Sequence, residues 1–139
     1  MAVRNAKATW EGSLREGHGS MKFGTFEGPF TWSSRFEEGG GTNPEELVGA
    51  AHAGCFSMAL ISGLGGAGFT AKRISTNATV NLERVEGKPR ITKIHLETRA
   101  EVLGIEKEAF LKIAEDAKLG CPVSVALSGV EITLDAQLM

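Results

Sequence analysis

Between residues 74 and 82 the stretch "ISTNATVNL" alternates in polarity, with Ile74, Thr76, Ala78, Val80 and Leu82 sharing one face. "ITKIHLETRAEV" repeats the pattern through Ile94, Leu96, Thr98, Ala100 and Val102. A period of two predicts a pair of half-buried strands, and "ERVEGKPR" between them, with Gly87 and Pro89, predicts a hairpin turn. "VEITLDAQLM" near the end is a further alternating strand. Near the start, residues 6 to 36 hold short extended runs broken by Gly24, Gly28 and Pro29, which predicts two or three strands in a meander. "EEGGGTN" then predicts a flexible loop, because three glycines cannot continue a strand.

Helical patterns fill the gaps. Asn43 is placed to cap a helix, Pro44 fits its first position, and Glu46 stands where a capping-box acid belongs. That helix runs to about Leu64, with Gly65 or Gly66 as its stop. "GIEKEAFLKIAEDAKLG" is amphipathic, with Phe110, Ile113, Ala114 and Ala117 facing inward and Gly120 as its stop. A short helix opened by Pro122 follows. The order of strands, long helix, hairpin, helix, short helix and strand gives an α+β class in one domain, residues 1–139, without repeats or linker.

From Leu47 to Ala71 there is no charged residue, so the long helix could pass for a membrane span. It is rich in Gly and Ala, carries His52 and Ser57 and lacks basic anchors, which favours a helix buried in a protein core and no membrane. The net charge of −2 comes from interspersed acids and bases without a basic stripe, which argues against nucleic acid. "MAVRNAKATWEG" has no apolar h-region, so a cytoplasmic address is expected. There two cysteines are expected to be reduced or redox-active rather than a permanent staple. Their spacing matches neither CxxC nor a zinc pattern, and with His18, His52 and His95 as the only histidines, no metal is expected.

The candidate chemistry gathers around those cysteines. Cys55 sits in the middle of an uncharged helix, where burial disfavours the thiolate, so a reactive Cys55 needs a cation brought to it. Arg35, at the end of the predicted meander, is the candidate, since its guanidinium can hold a carboxylate and still face a sulfur. Glu45 precedes Cys55 by about 15 Å of helix at 1.5 Å per residue, so on its own helix it cannot reach that sulfur. It acts through Arg35 or on a cysteine of another chain. Gly49, Ala50, Ala53 and Gly54 form a low stripe that suits close helix packing, within one chain or across a dimer. Cys121 opens a helix, where free N–H groups favour a thiolate, and suits thiol–disulfide exchange. His52 shares a helix face with Cys55, but with no third member in view it reads as a polar neighbour at a pocket edge rather than half of a hydrolase pair.

"GTNPEELVGAAHAGCFSMAL" resembles the signature of the OsmC/Ohr family, and "AKLGCPVSVAL" with "EITLDAQL" resembles its second cysteine motif. "ATWEG" and "SSRFEEG" are similar to the OsmC branch. The resemblance spans essentially the whole chain. It implies an OsmC-like fold, antiparallel sheets around long central helices in an intertwined homodimer. The activity implied is a thiol-dependent peroxidase acting on organic hydroperoxides in oxidative and osmotic stress defence, with a dithiol reductant and no cofactor. On this resemblance Cys55 attacks the peroxide, Cys121 resolves the sulfenic acid as a disulfide, and Arg35 and Glu45 complete the catalytic set. Phe36, Phe56 and Met58 are the expected pocket walls. Two other readings share these residues: a peroxide-sensing or ligand-binding redox protein with little turnover, and a structural α+β dimer with core thiols.

Overall fold

Strand and helix residues alternate along the chain as the polarity pattern requires, and a computed structural model describes residues 1–139. Contacts group the chain, read above as one domain, into two compact units, Met1–Leu47 and Val48–Met139.

The first unit is a three-stranded antiparallel meander of β1 (Ala6–Glu11), β2 (His18–Phe23) and β3 (Phe26–Phe30). The predicted extension of the strand region to Arg35 is not observed. Trp32–Phe36 forms a one-turn helix, α1. Thr31 stops the strand by capping it, with its side chain accepting from the Ser34 N–H at 3.0 Å while the Thr31 N–H donates to Ser34 Oγ at 2.8 Å. The glycine loop beyond is pinned as well as turned. Ser34 Oγ donates to the Thr42 carbonyl at 2.8 Å, and the Thr42 N–H donates to the Pro29 carbonyl at 2.9 Å. Gly41 has φ +105, and a Cβ there would lie 2.6 Å from the Pro29 oxygen, so only glycine fits this return.

Helix α2 (Pro44–Gly66) starts in the first unit and continues into the second. Asn43 Oδ1 accepts from the Glu46 N–H at 2.8 Å, as a cap should. Glu46 accepts from the Asn43 side-chain amide at 3.2 Å, not from the Asn43 backbone N–H that the expected capping box would use. The far end lies later than expected, because Gly68, at φ +89, supplies the left-handed residue. The Phe69 N–H reaches the Leu64 carbonyl at 2.9 Å and the Gly68 N–H reaches the Gly65 carbonyl at 3.0 Å, a Schellman closure. By length and composition α2 could cross a membrane. The expected burial in a protein core holds for one face of the helix. Gly49, His52, Phe56, Leu60 and Leu64 are buried at steps of three and four, while Ala51, Gly54, Met58 and Ile61 are exposed.

In the second unit β4 (Ala71–Val85) and β5 (Lys88–Val102) form the predicted hairpin. Its two-residue turn carries Glu86 at φ +52 and Gly87 at φ +79, the primed geometry that matches strand twist. Strand β6 (Glu131–Leu138) pairs parallel with β5, so this sheet is mixed rather than antiparallel. The reason lies in the connection: α3 (Lys107–Gly120) and α4 (Pro122–Ala126) carry the chain back before β6 begins. The register stacks Val80 on Ile94 on Ile132, and Ala78 on Leu96 on Leu134. That apolar face joins Phe56, Leu60 and Leu64 of α2 and Phe110 and Ala114 of α3 in one core. Burying each large side chain there contributes about 1.5–3 kcal/mol. The predicted close approach at Gly49 is to a strand, since a Cβ there would sit 3.2 Å from Val80. Gly120 does not stop α3 by a left-handed turn. Cys121 is the boundary, extended at φ −55 and ψ 126, because Pro122 disfavours a helical residue before it.

Candidate active site

Two pairs of side chains stand out, one in each unit. In the first, Arg35 on α1 and Glu45 at the start of α2 form a two-pronged ion pair. Arg35 Nη2 donates to Glu45 Oε1 at 2.7 Å and Nε donates to the same oxygen at 3.1 Å. Ser34 and Thr42 fix α1 and the glycine loop, and Asn43 also donates to the Ser34 carbonyl at 3.0 Å. The pair is therefore held by backbone as well as by charge. Glu45 is buried and Arg35 keeps about a third of its side chain exposed, 9% against 36%. A buried carboxylate needs this partner, and the open flank of the guanidinium is left to face something else. Phe36 lies under the guanidinium at 5.2 Å. Both side chains border an open groove of ≈ 350 Å³ whose remaining wall includes Trp10, Leu14, Phe30 and Trp32.

In the second unit the sulfurs of Cys55 and Cys121 lie 2.8 Å apart. A disulfide bond of roughly 2.05 Å needs only a small further approach of the two side chains. Their surroundings divide them. Burial pushes the Cys55 thiol up, and the neighbouring Cys121 sulfur adds to the shift, while the Val123 N–H opposes it. At Cys121 burial also pushes upward, but hydrogen bonds from Cys55, from the Ser124 N–H and hydroxyl and from the Val123 N–H outweigh it, so this thiol lies below its ordinary value. The two thiols titrate as a pair, with Cys55 pushed up and Cys121 held down.

The OsmC-like protein family model matches residues 37–135. The chain belongs to the OsmC family. It is 49% identical over 138 residues to the Peroxiredoxin OsmC of Escherichia coli K12, covering 97% of this chain and 96% of that one. Solved structures share the OsmC fold. An OsmC-like protein from Mycoplasma pneumoniae matches at TM-score 0.78 and 14% identity, covering 99% of this chain and 98% of the other. An organic hydroperoxide resistance protein OsmC from Legionella pneumophila matches at TM-score 0.72 and 25% identity, covering 99% of both chains.

Against this OsmC framework the remaining expected residues fall in different places. Phe36 lines the groove beside Arg35. Met58 is exposed on the open face of α2, and Phe56 is fully buried in the core of the second unit. His52 is not at a pocket edge. It is fully buried, and its Nε2 lies 2.7 Å from Ser124 Oγ. Ser124 was not among the residues singled out from the sequence. The signal was present, because Ser124 stands three positions after Cys121, one helical turn away.

Proposed function

We propose that this chain is a cysteine-based peroxidase that reduces organic hydroperoxides to alcohols, as part of oxidative and osmotic stress defence. One observation carries the reading: two free thiols in contact within a chain half identical to a peroxiredoxin of the same family. In the first step the Cys55 thiolate attacks the terminal peroxide oxygen. The O–O bond breaks, the alkoxide leaves and takes a proton, and Cys55 becomes a sulfenic acid. In the second, the Cys121 sulfur attacks the sulfenic sulfur, the S–S bond forms and water is released. A dithiol reductant then restores both thiols.

Cys55 poses the physical problem. Its burial and its neighbour push its thiol up, so it resists taking on the charge that attack requires. Attack at Cys55 needs that charge brought to it, and this is the role assigned to Arg35. Glu45 orients the guanidinium and does not touch the sulfur, where a carboxylate would raise the thiol further. The same guanidinium stabilises the oxygens as the O–O bond breaks. Phe36 and the apolar groove favour an alkyl chain over hydrogen peroxide, and exposed Met58 is a further contact for that chain.

The functional unit is a homodimer. The first unit buries no large apolar side chain, while Phe26 and Leu14 are exposed, and a lone small sheet is marginal in water. α2 also leaves Ile61 uncovered, and a second copy would bury both surfaces. Free thiols that must cycle suit a reducing cytoplasm. Mass spectrometry after one equivalent of cumene hydroperoxide should find a Cys55–Cys121 bond and one equivalent of alcohol. An unmodified chain with unconsumed peroxide rejects the reading. Sustained turnover with a dithiol distinguishes an enzyme from a sensor that reacts once.

A further inference from the structure

His52 and Ser124 are buried polar residues that the peroxidase scheme leaves without a role. His52 is fully buried and Ser124 is 6% exposed. Ser124 Oγ lies 2.7 Å from His52 Nε2, and Ser124 stands one helical turn after Cys121, whose thiol it helps hold below its ordinary value. His52 Nδ1 is buried without a partner. An unpaired N–H in a core costs more than an unused lone pair, so Nδ1 is the bare nitrogen and Nε2 carries the hydrogen. Nε2–H then donates to Ser124 Oγ, and the Ser124 hydrogen is free to point at the Cys121 sulfur.

We propose that Ser124 is a catalytic residue of the second step and His52 its positioning residue, the two forming a donor chain that holds Cys121 as the thiolate that closes the disulfide. The proposal rests on the peroxidase reading. The Cys121 thiolate, its hydrogen already lost to water, attacks the sulfenic sulfur of Cys55. The S–S bond forms, the S–O bond breaks, and hydroxide leaves with the electron pair and is protonated to water. The two sulfurs lie 2.8 Å apart, so the step needs a charge at Cys121 more than it needs travel. Burial pulls the His52 imidazolium below its ordinary range, which keeps the ring neutral and leaves the Nε2 donor intact. In the reverse direction a stabilised Cys121 thiolate is the better leaving group when a reductant attacks Cys55, so the same chain also speeds reduction.

The experiment times the two steps separately in full-length protein. A sulfenic-acid trap measures formation of the Cys55 sulfenate with cumene hydroperoxide, and mass spectrometry follows disulfide closure. Ser124→Ala should slow closure about tenfold, the worth of one hydrogen bond to a charged sulfur, without slowing sulfenate formation. His52→Leu should slow closure similarly. His52→Gln should restore it, because its amide N–H occupies the place of Nε2 and carries no charge at any pH. Ser124→Ala removes one hydroxyl from a short surface helix and keeps the test available if His52→Leu does not fold. Wild-type closure in Ser124→Ala overturns the proposal, as does equal slowing of both steps. Failure of wild-type protein to form any sulfenate would reject the peroxidase reading instead.

Discussion

The two units hold their chemistry in opposite ways. In Met1–Leu47 a charged pair is fixed by caps and loop hydrogen bonds on a sheet with no large buried apolar residue. In Val48–Met139 a thiol pair is fixed by a packed core whose Phe56 and Phe110 are wholly buried. A guanidinium must keep part of itself wet and can be aimed by hydrogen bonds alone. A thiol is nearly apolar and can be aimed by packing, at the cost of being held protonated. On the proposed scheme the second unit brings sulfur to sulfur, and Arg35 is the group proposed to supply the charge that the sulfur's own surroundings withhold.

This contrast can be broken at four places. The largest effect is expected at Cys55→Ser, which should remove peroxide reduction altogether while leaving the fold intact. A residual steady-state rate with a dithiol would move the attacking sulfur elsewhere. Next comes Arg35→Gln, which should lower kcat/KM for cumene hydroperoxide by about 10²–10³-fold, the scale of losing a preorganised charge stabiliser. Arg35→Lys should recover little, because one ammonium cannot match the two-pronged grip on Glu45 and still present a free flank. A smaller effect, and of another kind, is expected at Leu60→Ala. It should cost about 2–5 kcal/mol of stability by denaturant melts while sparing per-molecule activity in the folded fraction. The least is expected from Asn43→Ala, about 1 kcal/mol from the lost cap of α2. That change should also raise KM, since Asn43 ties the Glu45 end of α2 to α1 through Ser34. Loss of stability without any change in KM would separate the cap from the site.

Much of this was legible in the chain. Strict alternation at Ile74–Leu82 and Ile94–Val102 located β4 and β5, because a one-residue slip would turn every apolar group to water. Gly87 within "ERVEGKPR" marked the turn and Asn43-Pro44 the start of α2. The misses share a cause, in that local pattern does not report non-local pairing. Nothing in "VEITLDAQL" says whether it runs parallel or antiparallel to its neighbour, which is decided by the crossover through α3 and α4. "TWSSRF" reads as strand by composition, yet Thr31 and Ser34 satisfy each other's backbone in a way that only a helical turn allows. The same holds for the site. The Arg35–Glu45 grip is anticipated by residue type, whereas Ser124 and His52 meet across 72 positions that no periodicity connects.

The central claim is that Arg35 lowers the pKa of a thiol that burial raises. It is tested most directly by the pH dependence of Cys55 alkylation in a Cys121→Ser background, with and without Arg35→Gln. Only the thiolate is alkylated, so the rate rises with pH through the Cys55 pKa. The account predicts an inflection below the ordinary thiol range when Arg35 is present and above it when Gln replaces Arg35. Superimposable profiles for the two proteins would contradict it.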